Sequence, residues 1–470
     1  MRIVIFGVGG FYRERKHKIP AMWEIVAFLD NNPKLQGQKM DGVLILAPGN
    51  VSRLSYDKIV LMSASEEAMK DQLLKLGIDR KDIWYWEQLA SEICRGEFKL
   101  YCGGNYADSC KKKILIVSSH LNYTGGPLAA VYAARVLQER GYAVFVAAPS
   151  GDEAFIEEMT EGGIRIVLCP ALPYIHSEEL AWIELFDAVL VNVFPMIPSA
   201  CEISRIKPVL WWIHESERKL YENILHRFEG QVGGQQLEKV NIRAVSRVAQ
   251  NRFNYCFPDR IRELLSYGIP DEKKENSFSY RAEPLVFAII GMVHQGKAQD
   301  VFVRAVTQLP REEKRNLQFL IIGPIGTDAY AGSIREMASE EPSIKITGLL
   351  TRSEIHKAFE KIDVVVCPSL EDSLPIVVTE GMMYGKICIV SEATGTADYI
   401  KHGKNGLICK AGDPEDLCEK MRWVIGNREN LQEMGNAARQ VYEKYFTMDR
   451  FGDQLEKALT ETLDGSWRIE

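Results

Sequence analysis

The residues best suited to chemistry are two carboxylates, Asp372 and Glu380, in the segment between residues 367 and 390. Glu380 lies in an otherwise apolar helical pattern, and a carboxylate in such a setting is rarely buried without a partner. Near the carboxyl end of a parallel sheet, a carboxylate of this kind is well placed to bind sugar hydroxyls. The alternative is that Glu380 lies on the exposed face of a helix whose other faces are buried.

The surrounding pattern predicts the elements that must position these carboxylates. The apolar run 363–367 predicts a buried parallel strand. Ser373 is predicted to cap a helix that Pro375 helps to start, and Gly385 is predicted to end that helix. Residues 386–390 predict the next strand. The sequence therefore predicts a strand, an acidic loop, a short helix and a second strand.

Three further groups follow predicted strands. Gly125 and Gly126 precede a helix, where the backbone can approach a ligand and free N–H groups can bind an anion. Lys297 lies in another strand–loop–helix context, where its ammonium can lie over a diphosphate. His214 ends an apolar strand, where it can accept a proton or bind an acceptor substrate. The alternatives are a tight turn, a solvated lysine and a structural histidine.

A glycine loop at residues 7–10 has the spacing G-x-G-G. Tyr12 occupies the position of the third glycine in the dinucleotide-binding pattern, and the helix that should follow is polar. Asp30 does lie where a ribose-binding acid would be expected. The pattern therefore favours a structural strand-to-helix turn over a nucleotide-binding oxidoreductase domain, which stays open as an alternative.

Composition limits the class of protein. The chain has 470 residues, 46% hydrophobic and 26% charged, with a net charge of −7, which gives no electrostatic case for nucleic acid. Ten cysteines are scattered without a C-x-x-C pair, as expected in a reducing cytosol, and the spacing of Cys94, Cys102 and Cys110 is not that of a zinc site. No leader pattern and no apolar run of about 20 residues is present, so we expect a cytoplasmic protein.

Alternating strand and helix patterns predict an α/β protein with three successive units. The last two units are Rossmann-like halves facing a cleft, joined by a hinge near residue 275, and the interdomain cleft is the expected ligand site. Residues 102–113 read as a linker. The predicted domains are residues 1–104, 112–275 and 284–450, followed by a closing helix and tail at 451–470.

Taken in order, these motifs resemble one family over residues 112 to 450. They are similar to those of retaining GT-B glycosyltransferases, in the glycosyl transferases group 1 family. The segments that carry the resemblance are the Gly125–Gly126 loop, His214, Ser246, and residues 267–270, 296–300, 368–382 and 398–407. The resemblance implies a GT-B architecture preceded by a third, small Rossmann-like domain.

The resemblance also implies an NDP-sugar donor as co-substrate, with no other cofactor and no metal. Glu380 would bind the ribose hydroxyls and Lys297 the diphosphate, while Gly348 and Leu349 would lie near the base. The transferred sugar and its phosphate would be held by Asp372 and by the backbone of the next three residues, which are Ser373, Leu374 and Pro375.

The other half would complete the site. Gly125 and Gly126 would face the diphosphate, and His214 would lie on the side of a glycan or lipid-linked acceptor. A peripheral position at the inner face of the membrane is compatible with a basic face. The alternative for that face is an ordinary solvated surface. The arginines concerned are Arg243, Arg247, Arg252, Arg260 and Arg262.

The chain departs from the family pattern at three positions. Asp372 replaces a glutamate, Gly296 a basic residue and Ala298 a glycine. Loss of one charge stabiliser typically costs about 100-fold or more in turnover. The alternative to an active enzyme is therefore a protein that binds nucleotide sugars without turnover.

Residues 1 to 100 resemble the small Rossmann-like domain at the front of some polysaccharide-biosynthesis proteins. Residues 28–33 and 37–43 carry this second resemblance. Such a domain is suited to binding a nucleotide, docking a partner or acting as a scaffold.

Overall fold

Short apolar runs form the strands of three separate sheets. The structure is a computed structural model that describes residues 1–63, 65–103, 112–174, 179–228, 236–273 and 284–467. Strands that are buried on both faces require helices on both sides, and helices do connect most of the strands. The predicted α/β class with three strand–helix units is confirmed.

The first sheet has the strand order β3-β4-β2-β1-β5-β6, and its strands are parallel except at the β3–β4 edge. Its strands are β1 (Arg2–Phe6), β2 (Glu24–Leu29), β3 (Lys39–Met40), β4 (Val43–Leu46), β5 (Lys58–Leu61) and β6 (Ile83–Tyr85). Its helices are α1 (Gly10–Arg15), α2 (Glu66–Lys75) and α3 (Trp86–Ile93). The turn at Gly7 is tight, because a Cβ there would lie 2.6 Å from the Met62 carbonyl oxygen.

The second sheet has the order β13-β12-β11-β8-β9-β10-β7. Its strands are β7 (Lys99–Tyr101), β8 (Lys113–Val117), β9 (Ala143–Ala148), β10 (Arg165–Leu168), β11 (Ala188–Asn192), β12 (Val209–Ile213) and β13 (Val240–Ala244). Its helices are α4 (Gly125–Glu139), α5 (Glu153–Glu161), α6 (Ile197–Ile203), α7 (Arg218–Arg227) and α8 (Arg247–Cys256).

The third sheet is parallel throughout, in the order β16-β15-β14-β17-β18-β19. Its strands are β14 (Leu285–Ile290), β15 (Leu317–Ile322), β16 (Ile344–Gly348), β17 (Val364–Cys367), β18 (Ile387–Ser391) and β19 (Leu407–Cys409). The remaining helices are α9 (Gln299–Gln308), α10 (Arg311–Lys314), α11 (Ala329–Ser339), α12 (Arg352–Phe359), α13 (Ile376–Tyr384), α14 (Pro414–Gly426), α15 (Leu431–Tyr445) and α16 (Met448–Asp464).

Two elements cross the boundaries that the sequence suggests. Strand β7, which precedes residue 104, pairs antiparallel with β10 and so belongs to the second sheet. Helix α16, at the end of the chain, returns to the second unit. There Phe451 stacks on Trp212 with ring centroids 5.3 Å apart, and Arg140 pairs with Asp453 at 2.8 Å. The closing helix therefore ties the last segment of the chain to the middle unit.

Several sequence expectations differ in detail from the structure. The closing helix predicted within residues 451–470 begins three residues earlier, because α16 covers Met448–Asp464. The hinge predicted near residue 275 and most of the predicted linker at 102–113, including Cys110, lie outside the described residues.

Candidate active site

Loops at the carboxyl edges of the second and third sheets meet in the cleft between the two units. The Ser373 hydroxyl, after β17, donates a hydrogen bond to the His214 carbonyl oxygen, after β12. The Tyr267 hydroxyl donates to the Leu374 carbonyl oxygen at 2.8 Å. Parallel sheets place ligand sites at such edges. The cleft therefore brings Ser373 and Leu374 of the third unit together with His214 of the second.

An ion pair lies beside this contact, because Asp372 directly precedes Ser373 in the chain. The Lys297 ammonium, in the turn before α9, lies 2.5 Å from a carboxylate oxygen of Asp372, whose side chain is 14% exposed. The Asp372 loop is held in place by its backbone, because its carbonyl oxygen accepts a hydrogen bond from the Gly395 N–H at 2.9 Å. The negative charge of Asp372 raises the pKa of Lys297, so the lysine carries a full positive charge at neutral pH.

The neighbouring carboxylate, Glu371, has a different partner. It pairs at 3.2 Å with Arg252 of α8, which belongs to the other half, and Arg252 also donates to the Ser216 carbonyl oxygen at 2.7 Å. The acidic loop thus divides its two charges: Asp372 faces Lys297, and Glu371 reaches across the cleft.

Glu380 is buried, with 5% of its surface exposed, so the alternative of an exposed helix face is wrong. Its partner is Arg352, the first residue of α12. The prediction that Ser373 caps α13 is also wrong. Pro375 occupies the N-cap position without a side-chain cap, because the Ser373 hydroxyl is used by the contact with His214.

The glycine loop packs tightly at the start of α4, which begins at Gly125. A Cβ on Gly126 would lie 2.8 Å from a methyl group of Val193, whereas a Cβ on Gly125 would meet only Ile376 of α13, at 3.7 Å. Val193 itself has φ +76, an uncommon conformation for a β-branched residue. Backbone outliers of this kind cluster at functional sites. The close approach of Val193 leaves no room for a side chain at position 126, whereas Gly125 faces the opposite half.

His214 and Glu215 follow β12 directly. Burial lowers the pKa of His214 to about 3, and its Nε2 atom is inaccessible and has no hydrogen-bond partner among the described residues. Burial raises the pKa of Glu215 to about 7, although its carboxylate accepts the Phe194 N–H at 2.8 Å. A neutral histidine with such a low pKa is a poor proton acceptor, which argues against a role as general base.

The remaining predicted residues lie around the end of β16 and the start of α9. Gly348 has φ +77, and Leu349 after it is 75% exposed, which leaves an apolar side chain at the surface. Gly296 accepts a hydrogen bond from the Leu370 N–H at 2.9 Å. Ala298 has φ +56, a left-handed conformation that glycine adopts without steric cost.

The basic face considered above is largely neutralised, because four of its five arginines pair with carboxylates. The pairs are Arg243 with Glu461, Arg247 with Asp398, Arg252 with Glu371, and Arg260 with Glu238.

Within the described ranges, no helix has both the length and the apolar character needed to cross a membrane. Nor do three or more histidine, cysteine or acidic side chains gather in the described part of the chain as they would around a metal ion.

Two α/β units whose carboxyl edges face one another across a charged cleft define the GT-B class of glycosyltransferases. Residues 271–441 match the sequence profile of glycosyl transferases group 1, and residues 110–232 match that of glycosyl-transferase family 4. The second and third units are therefore glycosyltransferase domains of these families. Residues 1–84 match a third profile, described as C2185-like, N-terminal.

Several curated glycosyltransferases are similar to part of this chain. A sulfoquinovosyl transferase of Arabidopsis thaliana is 30% identical over 166 residues, which cover 35% of this chain and 31% of that protein. A D-inositol 3-phosphate glycosyltransferase of Nocardia farcinica is 28% identical over 159 residues, covering 33% and 35%. A Campylobacter jejuni N-acetylgalactosaminyltransferase, whose name describes an undecaprenol-linked substrate, is 26% identical over 186 residues, covering 39% and 50%. The chain spans a third to a half of the length of these relatives.

Solved structures show the same fold. Anabaena HepE in complex with UDP and glucose matches with a TM-score of 0.62 and 15% identity, covering 74% of this chain and 100% of that chain. WaaG, a glycosyltransferase involved in lipopolysaccharide biosynthesis, matches with a TM-score of 0.56 and 15% identity, covering 75% and 100%. The GT-B architecture implied by the sequence motifs is confirmed.

Proposed function

We propose that the protein is a retaining glycosyltransferase that moves a sugar from an NDP-sugar to a glycan or lipid-linked acceptor in cell-surface polysaccharide biosynthesis. The observation that supports this most directly is the Lys297–Asp372 ion pair. Asp372 lies four positions before Ile376 in the chain, and Ile376 faces Gly125 across the cleft. A cation, a carboxylate and the amino-terminal ends of two helices thus converge from both halves, as transfer from a sugar diphosphate requires.

Each group has a role in this proposal. Lys297 and the N–H groups at the start of α4 and α13 neutralise the leaving diphosphate, so no metal is needed. Glu380 binds the ribose hydroxyls, and Leu349, after Gly348, covers the base. The transferred sugar is held by Asp372 and by the backbone of the residues that follow it, Ser373, Leu374 and Pro375.

The transfer itself breaks the bond between the sugar C1 and the phosphate oxygen and forms a bond from the acceptor oxygen to C1 on the same face. The acceptor proton passes to the leaving phosphate. His214 binds the substrates rather than taking this proton, because its pKa of about 3 makes it a weak base. Closure of the cleft excludes water and so limits donor hydrolysis.

A donor hydrolysis and transfer assay with a panel of UDP-, GDP- and ADP-sugars tests the proposal. We expect turnover with one of them, retained in EDTA, and a loss of about 100-fold in Lys297→Ala and in Glu380→Ala. Lys361→Ala is the matched control, because Lys361 is an exposed lysine of the same unit outside the motifs.

Two outcomes would favour other functions. Tight nucleotide-sugar binding with no turnover on any acceptor would indicate a binding protein, for which the uncharged Gly296 is the relevant departure. Hydride transfer to NAD would place the activity in the first unit. A lipid-linked acceptor is suggested by the Campylobacter jejuni relative, and it implies that the protein works at the cytoplasmic face of a membrane.

A further inference from the structure

We infer that Arg352 is a positioning residue of the donor site, which orients Glu380 so that its second carboxylate oxygen receives the ribose hydroxyls. This inference rests on the proposed function, in which Glu380 binds ribose. It adds a residue that neither the motifs nor the resemblance assigns.

The position of Arg352 is fixed by its own helix. Thr351 caps α12, and Glu354 returns the contact, because the Thr351 N–H donates to the Glu354 carboxylate at 2.8 Å. A reciprocal cap of this kind holds the first turn of a helix in place. Arg352 is the first residue of that turn, so its side chain starts from a rigid backbone.

The contact uses only one side of the carboxylate. Nη1 of Arg352 donates to Oε1 of Glu380. The other oxygen, Oε2, has no hydrogen bond among the described residues, and it is not one of their inaccessible side-chain atoms without a partner, so it keeps accessible surface. An ionised carboxylate is purely an acceptor, so an accessible oxygen can receive hydroxyl donors. The free oxygen is therefore the one suited to a ligand that carries hydroxyl donors.

Arg352 also reaches the opposite half of the cleft. Its Nη2 lies 3.4 Å from the hydroxyl of Tyr132, a buried residue of α4. The guanidinium is a planar fork, so two contacts in different directions fix its orientation. The contacts from Tyr132 to Arg352 and from Arg352 to Glu380 thus link α4, which begins at Gly125, to α13, which carries the residue proposed to bind ribose.

The test compares nucleotides rather than activities. The nucleoside diphosphate that binds best among UDP, GDP and ADP is titrated by calorimetry, together with its 2′-deoxy and 3′-deoxy forms. We expect wild type to prefer the ribonucleotide about 10-fold or more, as for a hydrogen bond to a charged group. Arg352→Gln is expected to reduce this preference to about 2-fold or less, and Arg352→Lys to an intermediate value.

Three further variants complete the design. Glu380→Gln should abolish the same preference, and combining it with Arg352→Gln should cause no further loss, since both act on one contact. Tyr132→Phe should keep most of the preference, because the Arg352–Glu380 contact remains and only the second contact of the guanidinium, at 3.4 Å, is lost. Arg304→Gln, at an exposed arginine of α9, controls for loss of a charge.

The possible failures are distinguishable. If Arg352→Gln keeps the wild-type preference while Glu380→Gln loses it, the inference about Arg352 is wrong and the proposed function stands. If Glu380→Gln keeps the preference as well, Glu380 does not bind ribose and that part of the proposed function is overturned too. Circular dichroism of each variant shows whether it is folded. If Arg352→Gln is not folded, Arg352→Lys provides the test instead.

Discussion

The Lys297 ammonium lies 2.5 Å from Oδ2 of Asp372, so the cation and the carboxylate proposed for the donor site neutralise each other in the free protein. A donor brings its own negative charge on the diphosphate and hydroxyl donors on the sugar. Lys297 then has a competing partner, and Asp372 can turn to the hydroxyls. Under the proposed function, we expect the pair to hold both side chains in place and to lower the affinity for the diphosphate.

Asp372→Asn should separate the effect of this carboxylate on diphosphate affinity from its effect on sugar transfer. Without the competing carboxylate, Lys297 is free to bind phosphate, so we expect the dissociation constant for the free nucleoside diphosphate to fall about threefold or more. Transfer of the sugar should fall about 10-fold or more, because a contact to its hydroxyls is weakened. Calorimetry gives the first quantity and steady-state kinetics the second.

Glu371→Gln is the matched control, because the Glu371 carboxylate pairs with Arg252 and not with Lys297. It should leave nucleotide affinity unchanged. If the two variants behave alike, the acidic residue of the donor site is not Asp372.

The strands and the central motifs were predictable because their signals are local. The apolar run before Cys367 and the glycine at 385 specify a buried strand and a helix end by pattern alone, and both are found. The contacts that a side chain makes with residues distant in sequence cannot be predicted from a local pattern. Nothing in the spacing shows that Arg352 meets Glu380, since the contact depends on how α12 docks beside α13.

The same limit explains the errors. Ser373 precedes a helix and has the chemistry of a cap, but a competing acceptor, the His214 carbonyl oxygen, comes from the other half of the cleft. Arg243 looks like part of a basic surface in the sequence, yet α16 returns from the end of the chain and pairs Glu461 with it at 2.7 Å. Long-range contacts overrode the local signal in both cases.

The two neighbouring glycines of the α4 loop should respond differently to alanine. Gly126→Ala places a methyl group 2.8 Å from Val193 and should lower the free energy of unfolding by about 1–3 kcal/mol, as for an overpacked core. Gly125→Ala meets only Ile376, at 3.7 Å, and should leave stability nearly unchanged. Urea denaturation measures both. Equal stability of the two variants would show that the loop and Val193 can separate without cost.

Glu215 should make stability depend on pH. Burial raises its pKa to about 7, above the value of about 4.3 expected in the unfolded chain. The folded state therefore binds more protons than the unfolded state between these values, and the free energy of unfolding should fall as the pH rises through this window.

Glu215→Gln should remove that dependence on pH. At pH 8 it should stabilise the protein relative to wild type by on the order of 2 kcal/mol. The amide oxygen of the glutamine can still accept the hydrogen bond from the Phe194 N–H. Urea denaturation at pH 5 and pH 8 gives the comparison. Glu184→Gln, at an exposed carboxylate, is the control. A difference between wild type and Glu215→Gln that is the same at both pH values would contradict the assigned shift.

Arg227 should anchor the first unit to the glycosyltransferase units. It lies at the end of α7, pairs with Glu66 of α2, and lies 4.5 Å from the ring centroid of Tyr85. Burial raises the pKa of Glu66 to about 7 even with the arginine present. Arg227→Met should therefore leave a buried acid without its main cation and cost about 3 kcal/mol.

The loss should appear as weaker hydrogen-exchange protection of α2, since that helix opens when the first unit separates from α7. Adding Glu66→Gln should restore much of the protection, because the unpaired acid is then removed. Arg13→Met, at an exposed arginine of the first unit, should change nothing. If Arg227→Met protects α2 as well as Arg13→Met does, contacts other than this ion pair hold the first unit in place.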